Sequence, residues 1–152
     1  MDIKYEVAGG VTGVEFFDLL DRMENSVNDM IPAHKAFHRS LRTVAKEESS
    51  IANAGIITAR DSEGLLIGFL RYVTDYTYVY YLTEMMVDPK YQGMGVGKKL
   101  MNIWVDEGKK GGFIKMILTS IPDKEQFYRK LDFQPPMSPV LALRGEDFVD
   151  EQ

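Results

Sequence analysis

The chain has 152 residues, 45% of them hydrophobic and 27% charged, a net charge of −5 and no cysteine. This is the composition of one globular domain over 1–152, large enough to bury its own core. Disulfides, thiolate metal ligands and a covalent intermediate on a protein thiol are excluded, and without a basic excess nucleic-acid binding is not expected.

Residues 3–7 alternate polar and apolar as a strand does. No run has signal-peptide or membrane-span character, so the expected location is cytoplasmic, with no membrane partner. After Gly9-Gly10, Thr12 and Glu15 have capping-box spacing, and Phe16, Leu19, Leu20, Met23 and Val27 form one apolar helical stripe. Residues 25–32 read as a loop, and a second helix is expected over 33–47 with Phe37, Leu41, Val44 and Ala45 on one side. Ser49-Ser50 and 53–55 punctuate the chain before three strands at 56–59, 65–74 and 78–87, joined by short turns into an antiparallel meander. Gly68 inside the second of these implies a bulge or a small residue beneath a packed helix. A helix carrying Val96, Leu100, Ile103 and Trp104 runs to Gly111-Gly112. A crossover then makes 113–119 a parallel strand, a short helix carries Phe127, Tyr128 and Leu131, and a last strand is expected at 140–143.

The centre of the chain is the stretch Val87-Asp88-Pro89 followed by Gln92-Gly93-Met94-Gly95-Val96-Gly97-Lys98. Alternating glycines between a strand and a helix let the main chain present several N–H groups to an anion such as a diphosphate, with the positive end of the helix dipole behind them. Two phosphate-loop types fail on spacing. A P-loop needs glycine where Gln92 stands and a hydroxyl where Lys99 stands, and the dinucleotide fingerprint needs its third glycine one residue later than Gly97 and an acidic residue near 109–113.

Gln92-Gly93-Met94-Gly95-Val96-Gly97 resembles the acyl-CoA pyrophosphate loop of the GNAT superfamily of N-acetyltransferases. Phe127-Tyr128-Arg129-Lys130-Leu131-Asp132-Phe133 resembles that family's Phe-Tyr-x-Lys-x-Gly-Phe segment. The resemblance implies an α+β fold with a mixed, mostly antiparallel sheet of about six to seven strands and about four helices, 133–134 and 140–143 completing the sheet. It implies acetyl-CoA as acyl donor, held by Gln92, Gly93, Met94, Gly95, Val96, Gly97 and Lys98, with Lys99 a further source of charge. The pantetheine arm would run along the end of the 78–87 strand, where the family splays two parallel strands and a main-chain N–H at Met86 or Val87 faces the thioester carbonyl. Tyr128 would protonate the departing thiolate and touch the donor, and Glu84 would accept the amine proton directly or through water. Two departures stand out: Ile121 replaces an asparagine, and Asp132 replaces a glycine in a turn that aspartate tolerates.

His34 and His38 have metal-ligand spacing on a helix but no third ligand, so no metal is expected, and they remain open as substrate contacts or bases. The tyrosines at 72, 76, 78, 80 and 81 line an acceptor pocket or simply pair across a hairpin. The expected activity is direct transfer of an acetyl group to a primary amine of a small molecule or peptide in a ternary complex. A non-catalytic acyl-CoA-binding module is the alternative, and a homodimer is the candidate assembly.

Overall fold

The computed structural model describes residues 2–24, 41–120 and 122–142. They belong to two compact units, one comprising 1–28 and 43–118 and the other 29–42 and 119–152.

The first unit is built on a five-stranded sheet in the order β1-β2-β3-β4-β5, counted among the described residues: β1 Lys4–Val7, β2 Gly55–Arg60, β3 Leu66–Thr74, β4 Val79–Val87 and β5 Lys115–Leu118. The first four run antiparallel to their neighbours, and β5 is parallel to β4. The mixed, mostly antiparallel sheet, the meander and the parallel crossover are as the sequence predicts, with slightly fewer strands. Two bulges interrupt the register. One leaves Ile67 without a partner as Ala59 pairs with Gly68 and Arg60 with Leu66. The other leaves Thr83 without a partner as Arg71 pairs with Glu84 and Tyr72 with Leu82.

Helix α1, Gly13–Glu24, places Phe16, Leu19 and Leu20 against Ile56, Leu66, Phe69 and Met86 on one face of the sheet. Phe16 meets Phe69 edge-on at 5.2 Å. Each such side chain contributes about 1.5–3 kcal/mol when fully buried. Helix α2, Val44–Ala52, packs beside α1. Helix α3, Val96–Gly111, buries Val96, Leu100, Met101 and Trp104 on the opposite face, where Trp104 lies 6.3 Å from the Tyr72 ring. A Cβ at Gly68 would stand 3.0 Å from Ala59 and 3.1 Å from Leu100, so Gly68 both adjoins the bulge and admits α3.

The second helix differs from expectation. Residues 42–43 are not helical, and Thr43 starts a new helix by accepting the Lys46 N–H at 3.1 Å. Ser49 and Ser50, expected to interrupt, lie inside α2 as solvent-facing helical residues, and Asn53 ends it. Val27, the 25–32 loop and Phe37 lie outside the described residues.

The second unit contains a 3-10 turn, Pro122–Lys124, and the short helix α4, Glu125–Arg129. Asp132 has φ +70°, the left-handed turn expected where relatives carry glycine. Residues 133–134 and 140–142 are not strands, and Leu143 lies outside the described residues. Pro135, Pro136 and Pro139 lie between these stretches and offer no N–H, so no ladder runs unbroken through 133–142.

Candidate functional site

The segment after β4 is anchored before it becomes open. Asp88, 3% exposed, donates its N–H to the Ile67 carbonyl at 2.7 Å and accepts the Lys90 N–H on its carboxylate at 2.9 Å, capping the 3-10 turn Pro89–Tyr91. Beyond it Gly93 and Gly95 take φ +78° and +85°, and neither has a neighbour within 4 Å of a would-be Cβ. Gly95 is the N-cap of α3 and supplies no side-chain cap. Among the described residues none of the N–H groups of Gly93, Met94, Gly95, Val96, Gly97 and Lys98 finds an acceptor. Six consecutive donors therefore stand at or just before the positive end of a 16-residue helix, where an anion is favoured. Lys98 and Lys99 are exposed in its first turn.

Beside this loop, β4 outruns its parallel neighbour. Its pairing with β5 stops at Leu82–Leu118, so residues 83–87 have no strand on that side among the described residues. The register says which groups this edge offers. Because the Asp88 N–H points to β3, alternation turns Met86 and Glu84 toward β3 as well, and turns the N–H and C=O of Met85 and Val87 outward to the empty side. Of the two N–H groups expected to face a thioester, that of Val87 lies on the open edge and that of Met86 is turned to β3. The outward orientation of Val87 is borne out by Gln92, whose side-chain amide donates to the Val87 carbonyl at 3.0 Å. Gln92 thus braces the loop from within.

Glu84 lies on the α1 face, where its carboxylate accepts from Arg71 Nη2 at 2.7 Å. Arg71, 7% exposed, also donates through Nη1 to Glu47 of α2 at 2.9 Å and lies 5.4 Å from the Phe16 ring centre and 5.7 Å from that of Phe69. Glu84 is therefore an ion-paired acid. Arg71 and Glu47 escaped the sequence reading. Their pairing spans 24 residues, and no local pattern encodes it.

In the second unit, Tyr128 is half-buried, its ring edge-on to Phe127 at 5.1 Å, and burial raises its hydroxyl above the usual phenol range. A phenol in that state keeps its proton at neutral pH. Its carbonyl receives the N–H groups of Leu131 and Phe133 at the Asp132 turn. The tyrosines of the β3–β4 hairpin divide. Tyr72 and Tyr80 are buried beneath α3, with burial pushing Tyr72 up to about 12, whereas Tyr76 and Tyr78 are exposed. His34 and His38 lie outside the described residues, and among the described residues no cluster of three His, Asp or Glu could hold a metal. No described helix is long and apolar enough to cross a membrane.

A mixed sheet, a fourth strand deserted by its parallel neighbour, and a glycine-started helix beside that gap define an acyl-CoA-type N-acyltransferase fold. The family model for the acetyltransferase (GNAT) domain matches residues 52–135, more than half of the sequence, and the chain belongs to that family. An uncharacterized N-acetyltransferase, ycf52, of Porphyra purpurea is 31% identical over 90 residues, covering 59% of this chain and 51% of its own length. The chain spans about half the length of the curated relatives it matches. A probable acetyltransferase of unknown function from meticillin-resistant Staphylococcus aureus superposes with a TM-score of 0.73 at 21% identity, over 94% of this chain and 99% of that one. The structure of AAC(6')-Iy in complex with a bisubstrate analogue, CoA-S-monomethyl-acetylneamine, matches with a TM-score of 0.66 at 17% identity, over 95% of this chain and 98% of that one.

Proposed function

We propose that this chain is a cytoplasmic, single-domain N-acetyltransferase that moves the acetyl group of acetyl-CoA directly to a primary amine of a small molecule or peptide. The carrying observation is the run of unaccepted N–H groups from Gly93 to Lys98 beside the open edge of β4. The loop holds the diphosphate, and Lys98 adds charge near it. Met85 and Val87 pair with the pantetheine arm as a strand would, and the Val87 N–H faces the acyl carbonyl. Bound acetyl-CoA supplies an activated thioester. Glu84, steadied by Arg71, receives the amine proton directly or through water, and Tyr128 lends its proton to the leaving sulfur. The lack of cysteine fits direct transfer, with no acyl group parked on a protein thiol.

Thiol release from acetyl-CoA, followed with a panel of small cationic amines, aromatic amines and peptides, tests this reading without a protein-thiol background. Acceptor-dependent release is expected. Tight acetyl-CoA binding with no release for any amine would instead make the chain a binding module, and no binding at all would refute both.

A further inference from the structure

The glycine loop touches little of its own, so its position is inherited from its two ends. The downstream end is fixed by Val96, the buried first residue of α3. The upstream end is fixed by Asp88, and Asp88 is fixed from across the molecule. Arg22, in the last turn of α1, brings Nε to 2.9 Å from Asp88 Oδ2, an ion-pair contact at an angle that makes no hydrogen bond. Its Nη2 donates to the Leu66 carbonyl at 2.6 Å, so the guanidinium also grips β3, one residue before Ile67, whose carbonyl receives the Asp88 N–H. The next residue, Met23, places its sulfur 3.8 Å from the Gln92 amide. Consecutive residues of α1 thus reach both ends of the 88–92 segment. The two oxygens of Asp88 are divided, one capping the turn through Lys90 and the other facing Arg22.

We propose that Arg22 is a positioning residue for the donor site, acting through Asp88 to hold the glycine loop at the angle where its N–H groups converge. This rests on the reading of that loop as the diphosphate cradle. Without Arg22 a carboxylate only 4% exposed along its side chain loses its charged partner, and turning it toward water drags the 3-10 turn and the loop with it. A displacement of about 1 Å at such a distance from the chemistry is enough to cost an order of magnitude or more. The end of α1 is thereby coupled to donor affinity, although none of its residues belongs to the loop.

The test compares Arg22→Met, Arg22→Lys, Asp88→Asn and the R22M/D88N double variant with the parent chain. Affinity for CoA is measured by titration calorimetry, and KM and kcat by thiol release with the best amine of the panel. R22M and D88N should each weaken CoA binding and raise the acetyl-CoA KM about tenfold, with kcat at saturating donor within about twofold of the parent. The double variant should be no worse than the poorer single, and R22K should recover most of the loss. Arg60→Met is the control, since it removes the pair with Glu15 at the other end of α1 and should lower the melting temperature while leaving CoA affinity intact. CoA binding by R22M equal to the parent's would overturn the proposal, as would an equal loss in R60M. A parent chain that binds no CoA would take down the loop reading and this proposal together; a parent that binds while R22M is unchanged takes down this proposal alone. Because Arg22 is about a third exposed, R22M is expected to fold, and R22K preserves the charge if it does not.

Discussion

Two helices of the first unit begin in opposite ways. At the start of α1 three donors are spent. Thr12 Oγ1 accepts the Glu15 N–H at 3.1 Å, Glu15 accepts the Thr12 N–H at 3.0 Å, and Glu48 accepts the Gly13 N–H at 3.2 Å from the neighbouring helix. At the start of α3 a glycine stands where a cap belongs, and the donors are left over. The same chain that seals one helix with two side chains and a neighbour leaves another unsealed beside an open strand edge. That contrast leaves the start of α3 open to water or to an anion, whereas α1 is closed by its own side chains.

The contrast can be broken most severely by sealing α3. Gly95→Asp puts a carboxylate where an anion should dock and strains the φ +85° turn besides, and calorimetry should show CoA affinity falling by at least about a hundredfold while circular dichroism reports the parent helix content. Tyr128→Phe separates holding from chemistry: kcat should fall about a hundredfold with the CoA dissociation constant unchanged, and unchanged turnover would remove Tyr128 from the reaction. Unsealing α1 is milder. Thr12→Ala should lower unfolding free energy by about 1 kcal/mol in a denaturant titration and leave donor affinity alone.

The smallest effect is in acid. Hydrogen bonds from Arg60 hold Glu15 below the usual carboxylate range, and the N–H groups of Thr77, Val79 and Tyr78 do the same for Asp75 at the hairpin tip. Both are depressed in the folded chain, so the unfolded chain binds more protons. Their stabilisation is complete above the ordinary carboxylate range near about pH 4 and drains away as pH falls below it. Melting temperatures recorded from neutral pH into that range should fall less steeply for Glu15→Gln than for the parent.

What the sequence made legible was local. The capping box of α1, the glycine loop, the meander and the Asp132 turn each occupy a few adjacent residues whose conformational demands can be read in place. The break before α2 was missed because Thr43 is followed three residues on by Lys46, so half of a capping box is absent and the helical pattern runs on unbroken. The 140–143 strand was expected from an apolar run, with the prolines before it counted only as a boundary. The partners of Glu84, Asp88 and Gln92 were out of reach for another reason. Arg22 and Asp88 are 66 positions apart, and only the packing of α1 on the sheet makes them neighbours. Glu84 was placed on the correct strand, but whether it stands alone or paired depends on Arg71, a charged residue inside an apolar strand that periodicity treats as an exception.

The bulge at Thr83 falls one residue beyond the last β4–β5 pair, with its hydroxyl donating to the Arg71 carbonyl at 3.1 Å. A bulge bends the strand that carries it. The gap beside Met85 and Val87 is therefore creased into the backbone in advance, and among the described residues no ladder fills it. On the proposed reading, a thioester arm laid along this edge would meet no strand to displace, only the Gln92 amide on the Val87 carbonyl, so the affinity for the donor would be spared the work of opening its own berth.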